Sequence, residues 1–237
     1  MIETIDHGAI GTGEPAGNGG PGRSGPATPA GVVHALARLA PGADAHRRGA
    51  GAGPVNRLLS ALAGTVGGGR THDPEFGGAL VVELARRYLQ AVRDHGRGTG
   101  VPRVWQMVLD AWADPGAEPG RITLVGVHAL VGHDLPPAVV STCTLLGRTP
   151  GPAERGDLQA MVALLAYLAC DAVGRSSDAA TQEEATGLEL LLARGEPWRQ
   201  AEHLWTVRGR PSETERDRDA LDRRAALVVR GVLAAGS

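Results

Sequence analysis

The chain contains no lysine; its 24 basic residues are all arginine. That absence removes Schiff-base nucleophiles and the lysine of phosphate-binding loops. Only two cysteines are present, Cys143 and Cys170, too few for a disulfide framework, so a reducing, cytoplasmic setting is expected. Aromatic residues make up 3% of the chain. Leu, Val and Ala must therefore fill the core, and each tryptophan carries unusual weight in the packing. The formal net charge of −2 provides no general attraction to nucleic acid or to an anionic membrane. No charged start followed by an apolar stretch reads as a secretory signal, and no run reads as a membrane span. These absences leave a small molecule as the expected partner, with neither nucleic acid nor membrane. No motif calls for a cofactor.

What is present is helical patterning. Residues 1–30 are rich in Gly and Pro and lack periodicity, so they are expected to be a disordered tail ahead of a single helical domain over 31–235. The Gly49–Ala50–Gly51–Ala52–Gly53 run reads as a flexible connector. Short helices are expected over 31–40 and 54–66. The clearest helix runs from Pro74 to about Arg93, with Asp73 as N-cap: Phe76, Leu80, Leu84, Tyr88 and Val92 recur every four residues, opposite Glu83, Arg86, Arg87, Gln90 and Arg93. Val101, Val104, Trp105, Val108, Leu109 and Trp112 form the apolar stripe of the next helix, closed by Pro115–Gly116. Helices over 121–131 and 135–146 are expected to meet at a corner near Gly132. Residues 157–173 are apolar nearly all round and predict a central, buried helix. Helices over 179–194, 196–207 and 213–234 follow, the last capped by Ser212 with Glu215 three residues on. No segment alternates as a strand does. The fold class is all-α, an irregular multi-helix bundle.

Chemistry-bearing residues concentrate between His128 and Asp134. His128, His133 and Asp134 place two imidazoles and a carboxylate in a short stretch. The histidines are five apart, whereas a zincin helix needs four with a glutamate after the first, so no metal requirement is expected. Asp134 would be the natural N-cap of the next helix, but Pro136 and Pro137 lack the N–H groups such a cap binds. Its carboxylate must find another partner: an arginine, a histidine or a ligand. Arg103 lies off the apolar face of its helix, beside Gln106 and Asp110, either solvated or as an anion clamp. Trp105 and Trp112 are core by spacing and could also wall a pocket; Trp198 and Trp205, seven apart, admit the same two readings. Cys143 shares a stripe with Leu135, Val139 and Leu146 and reads as a core thiol.

Several blocks in order resemble a bacterial helical family known only as domain of unknown function 5995. They are Asn56–Arg57–Leu58, Asp73–Pro74–Glu75–Phe76, Val101 to Trp105, Gly126 to Pro136, Val140 to Cys143, Trp198 to Trp205 and Leu221–Asp222–Arg223. The resemblance spans about residues 31 to 235. It implies a helical fold and no established reaction, and it adds Asn56, Trp198 and Gln200 as candidate substrate contacts. The family's central block reads Asn-Ala-His-Ile-Asn-x-Asp-Leu. This chain keeps Asp134 and Leu135 there but has Leu130 in place of the histidine and Gly132 in place of the second asparagine.

The expected function is an enzyme of specialised, antibiotic-like small-molecule metabolism: a cyclase, isomerase or dehydratase acting on a largely apolar intermediate. Asp134, His133 and His128 would be catalytic, and Arg103, Trp105, Asn56, Trp198 and Gln200 would hold the substrate. Two alternatives stand beside it. One is a non-catalytic binding protein whose polar centre was replaced by Leu130 and Gly132. The other is a metal-dependent hydrolase using His128, His133 and Asp134 with His72 or His203.

Overall fold

In the computed structural model, the described residues are 27–38, 53–69, 71–174 and 195–235. Most of the expected tail (1–26), residues 49–52 of the connector and the helix expected over 179–194 lie outside them. The elements are α1 (Pro29–Ala37), α2 (Pro54–Gly67), α3 (Pro74–Arg97), α4 (Arg103–Ala113), α5 (Pro119–Ala129), a π-helical turn (Leu130–Asp134), α6 (Leu135–Leu145), α7 (Pro152–Gly174), α8 (Glu196–Val207) and α9 (Pro211–Ala234). There is no strand among the described residues.

Proline opens most of these helices, because its fixed φ suits the first turn and its missing N–H is not needed there. That rule corrects several expected starts. α1 begins at Pro29, inside the expected tail, where Thr28 Oγ1 accepts from Gly31 N at 3.1 Å. α5 begins at Pro119, where the Glu118 carboxylate takes the N–H groups of Gly120 (2.9 Å) and Arg121 (2.6 Å). α9 begins at Pro211, so Arg210 is its N-cap and Ser212 falls inside the first turn. Asp73 caps α3 as the sequence predicts, accepting from Glu75 N and Phe76 N at 3.0 Å each. α3 then continues past Arg93 to Arg97 and stops at Gly98, whose φ of 67° is left-handed.

Two helix starts are held from far along the chain. Pro102 precedes α4 and has no side chain to offer as a cap. Asp222 of α9 supplies one, taking Arg103 N and Val104 N at 3.0 Å each. Asp157 of α7, 0% exposed, takes His72 N (2.7 Å) and Asp73 N (2.8 Å) at the entry to α3. Replacing Asp157 by Ala orphans both donors in a buried place and is expected to lower unfolding free energy by about 2 kcal/mol. Asp157→Asn keeps one acceptor oxygen and should lose roughly half of that. Urea unfolding measures both; an Ala variant within about 0.5 kcal/mol of wild type would show that water replaces the carboxylate freely.

One apolar cluster runs through the molecule and contains Phe76, Leu80, Leu84, Val104, Trp105, Val108, Val139, Cys143, Met161 and Leu165. Leu109 is buried but stands outside it. The central position belongs to α5, the π turn and α6, not to α7. Leu124, Val125, Val127, Ala129 and Leu130 are all fully buried, with α2, α4, α7 and α9 packed on α5, and α3 and α8 on α6. α7 buries Leu158, Met161, Leu165 and Ala169 but leaves Tyr167 67% exposed. Its alanines and leucines make it apolar all round, though among the described residues it does not have a neighbour on every side.

The expected corner at Gly132 is absent. Residues 119–145 form one helical path, long and apolar enough by length and composition to cross a membrane; 89% of its most apolar stretch is buried inside this fold, as a core helix is. Pro136 and Pro137 would each clash with a carbonyl four residues back in α-helical register. The path avoids this by widening for one turn: Leu135 N donates to Leu130 O, five residues back.

A candidate site at the π turn

Widening the helix at Leu130–Asp134 turns Asp134 into the fold. Its residue is 2% exposed and it makes no capping bond to its own helix, as the two prolines require. Oδ2 instead accepts from Trp105 Nε1 of α4 at 2.9 Å, and Oδ1 pairs with His133 Nδ1 at 2.8 Å. An ionised carboxylate only accepts, so Nδ1 carries the proton. That fixes the tautomer in which the lone pair of neutral His133 sits on Nε2, which has no hydrogen-bond partner among the described residues. The His133 side chain is 14% exposed, so the pair runs from a buried tryptophan through a carboxylate to an imidazole near the surface. Tyr88 packs on Trp105 from α3, with ring centroids 5.2 Å apart and planes at 56°.

Arginines of α3 complete the surroundings; the sequence places them only on the side opposite the apolar stripe. Glu83 pairs with Arg86 (2.7 Å) and with Arg87 Nε (3.0 Å). Burial alone would raise the Glu83 carboxyl, but the Arg86 hydrogen bond and both guanidinium charges hold it below its usual value. Arg87 Nη2 donates to Ser141 Oγ of α6 at 3.3 Å. Burial presses the pKa of Arg87 down, and Asp134 and Glu83 oppose this; Asp134 also acts on Arg86. Ser141 lies seven residues beyond Asp134, two helical turns on and so on the same face. The sequence carried one signal for this arrangement, the Pro136–Pro137 pair inside an apolar helix.

The other expected site residues are scattered. His128, in the last turn of α5, is 8% exposed, and burial lowers its pKa to about 4. It is therefore neutral at neutral pH, and no hydrogen bond joins it to Asp134 among the described residues. Arg103 is tied to Asp219 (2.9 Å) at the α4–α9 surface. Asn56, in α2, is buried against α1, with Nδ2 donating to Leu36 O at 3.4 Å and Oδ1 without a partner among the described residues. Trp198 is buried, its Nε1 without a partner among the described residues, on the wall of a cavity of about 450 Å³ between α7 and α8 that Val162, Tyr167 and Cys170 also line. Gln200 borders a different cavity of about 350 Å³ between α8 and α9, donating from Nε2 to Glu196 at 3.1 Å. Asp134 and His133 line neither of these two cavities.

Cys143 is fully buried, and burial pushes its thiol up to about 11. Among the described residues no three His, Cys, Asp or Glu side chains stand close enough to hold a metal ion. The ligand set of the hydrolase alternative is not assembled: His203 bonds Asp217 at 3.0 Å on α9, and the His72 backbone is held by Asp157.

The positions where the resemblance pointed to family polar residues are the ones that build the π turn. Leu130 opens it fully buried, and Gly132 sits mid-turn. No curated protein and no solved structure matches the chain. A family model does match, over residues 32–235, which is nearly the whole described fold. The chain belongs to that family, described as a family of unknown function, DUF5995.

Proposed function

We propose that this protein is an acid–base enzyme of small-molecule, specialised metabolism, with His133 as the proton-transferring group and Asp134 as the carboxylate that orients it. The observation that carries the reading is the Asp134 pair of bonds: Trp105 Nε1 at 2.9 Å holds one oxygen, and His133 Nδ1 at 2.8 Å takes the other. A buried carboxylate behind an imidazole sets the tautomer, stabilises the imidazolium that forms, and aims Nε2 outward. Its setting on a π turn supports the same reading, since such turns recur at functional sites. Proton abstraction beside a carbonyl, followed by reprotonation or loss of water, needs no more than this and gives the isomerase, cyclase or dehydratase class. Arg86 and Arg87, which feel the charge of Asp134, would be the groups to stabilise negative charge developing on the substrate. His128, neutral and buried, supports the fold in this scheme and transfers no proton.

A non-catalytic binding role is the second reading, favoured by one fact: the two cavities are lined by Trp198 and Gln200 and not by the pair. Deuterium wash-in separates the two. Wild-type protein in heavy water, mixed with a panel of enolisable ketones, β-keto acids and β-dicarbonyl compounds, is expected to speed exchange of some members. His133→Gln should abolish this and Asp134→Asn should weaken it strongly, with both variants folded by circular dichroism. Equal exchange by wild type and His133→Gln across the panel would leave the binding role standing.

A further inference from the structure

We infer that the ligand of this site presents an oxyanion, a carboxylate or a phosphate, to Arg87; the inference rests on the acid–base reading above for its place in a reaction but not for its geometry. The Arg87 side chain is only 19% exposed. Of its five N–H donors, Nε is used on Glu83 and one Nη2 hydrogen on Ser141. Nη1 and the other Nη2 hydrogen have no partner among the described residues. Glu83, its only salt-bridge partner there, is shared with Arg86, which takes both carboxylate oxygens. Asp134 is close enough to act on both arginines, yet its two hydrogen bonds go to Trp105 and His133. Arg218 of α9 adds a further positive charge felt by Arg87. Two guanidinium groups thus share the one Glu83 carboxylate, and Arg87 is largely out of water. Buried charge is normally matched and hydrogen-bonded. The unmet part here is planar, positive and forked, which fits a carboxylate or phosphate and fits a neutral carbonyl poorly. Arg87 bonds Ser141, two turns beyond Asp134 on the same face of the helical path, so an oxyanion held there lies on the face that carries Asp134.

Titration with acetate, inorganic phosphate and neutral acetamide, followed by amide and histidine-ring NMR of the full chain, tests this. Acetate or phosphate is expected to shift the signals of Arg87 and Ser141 saturably; acetamide is expected not to. The tighter of the two anions identifies the group. Arg87→Gln should weaken anion binding at least about tenfold, the scale of a lost charged hydrogen bond. Arg87→Lys, which keeps the charge and loses the fork, should fall between the two and settles the matter if the Gln variant does not fold. His133→Gln should leave anion binding within about twofold. Thus anion binding without any His133-dependent deuterium exchange would sink the acid–base reading and keep this one. No saturable shift, or equal binding by wild type and the Arg87 variants, would overturn it.

Discussion

Trp105→Ala is expected to lower unfolding free energy by about 3–5 kcal/mol, the range for emptying a large aromatic site in a core. Trp105 is 0% exposed and packs against Tyr88 inside the main apolar cluster. The substitution also removes the donor to Asp134, leaving a buried carboxylate with His133 alone. Trp105→Phe separates the two effects. It keeps a six-membered ring but loses Nε1–H and part of the indole volume, so it should cost less than Ala yet at least the roughly 1–3 kcal/mol of a buried polar group left short of a partner, with a small cavity cost added. Combining Trp105→Phe with Asp134→Asn should cost less than the sum, because both changes break the same bond. Chemical denaturation of the four proteins provides the test; simple additivity would mean that the indole and the carboxylate do not support each other.

Acid is expected to weaken the fold through His128. Burial lowers its pKa from 6.5 in the unfolded chain to about 4 in the folded one. Between those values the unfolded chain binds a proton that the folded chain does not, so stability rises with pH across the window. The contribution is complete above pH 6.5 and is lost as pH falls towards 4. At about 1.4 kcal/mol per unit, the whole loss is roughly 3 kcal/mol. Denaturation at a series of pH values, for wild type and for His128→Gln, isolates it. Wild type should lose this extra stability between pH 6.5 and 4, while the variant should show only the shallower decline from its carboxylates. Parallel curves would mean that His128 is hydrated in the folded state.

Much of the fold was legible. The four-residue recurrence from Phe76 to Val92 became α3, and Asp73 before Pro74 became its cap, because both signals act within one or two turns. The site was legible in one respect only. Pro136 and Pro137 denied Asp134 its usual partners, and its carboxylate does bond elsewhere, to His133 as one of the expected partners and to Trp105, which was expected in the core or on a pocket wall but not as a partner of Asp134. The same prolines and Gly132 suggested a corner between two helices, where the chain instead widens one turn and continues. A break and a π turn look alike in sequence, since both answer a missing N–H; burial against α3, α4 and α9 selects the continuous path.

Among the described residues, the sequence by itself determined which segments are helical, that Asp73 caps the helix from Pro74, and that Asp134 could not cap its own helix. Only the tertiary structure decided that Trp105, 29 residues away, holds that carboxylate, that Arg87 sits largely out of water against Ser141, and that Asp222, 119 residues on, replaces the cap that Pro102 cannot supply to Arg103 N. The division follows from range. Periodicity and capping depend on neighbours within about four residues, whereas the partner of a buried polar group depends on which distant helix brings a donor to it, and spacing along the chain does not encode that.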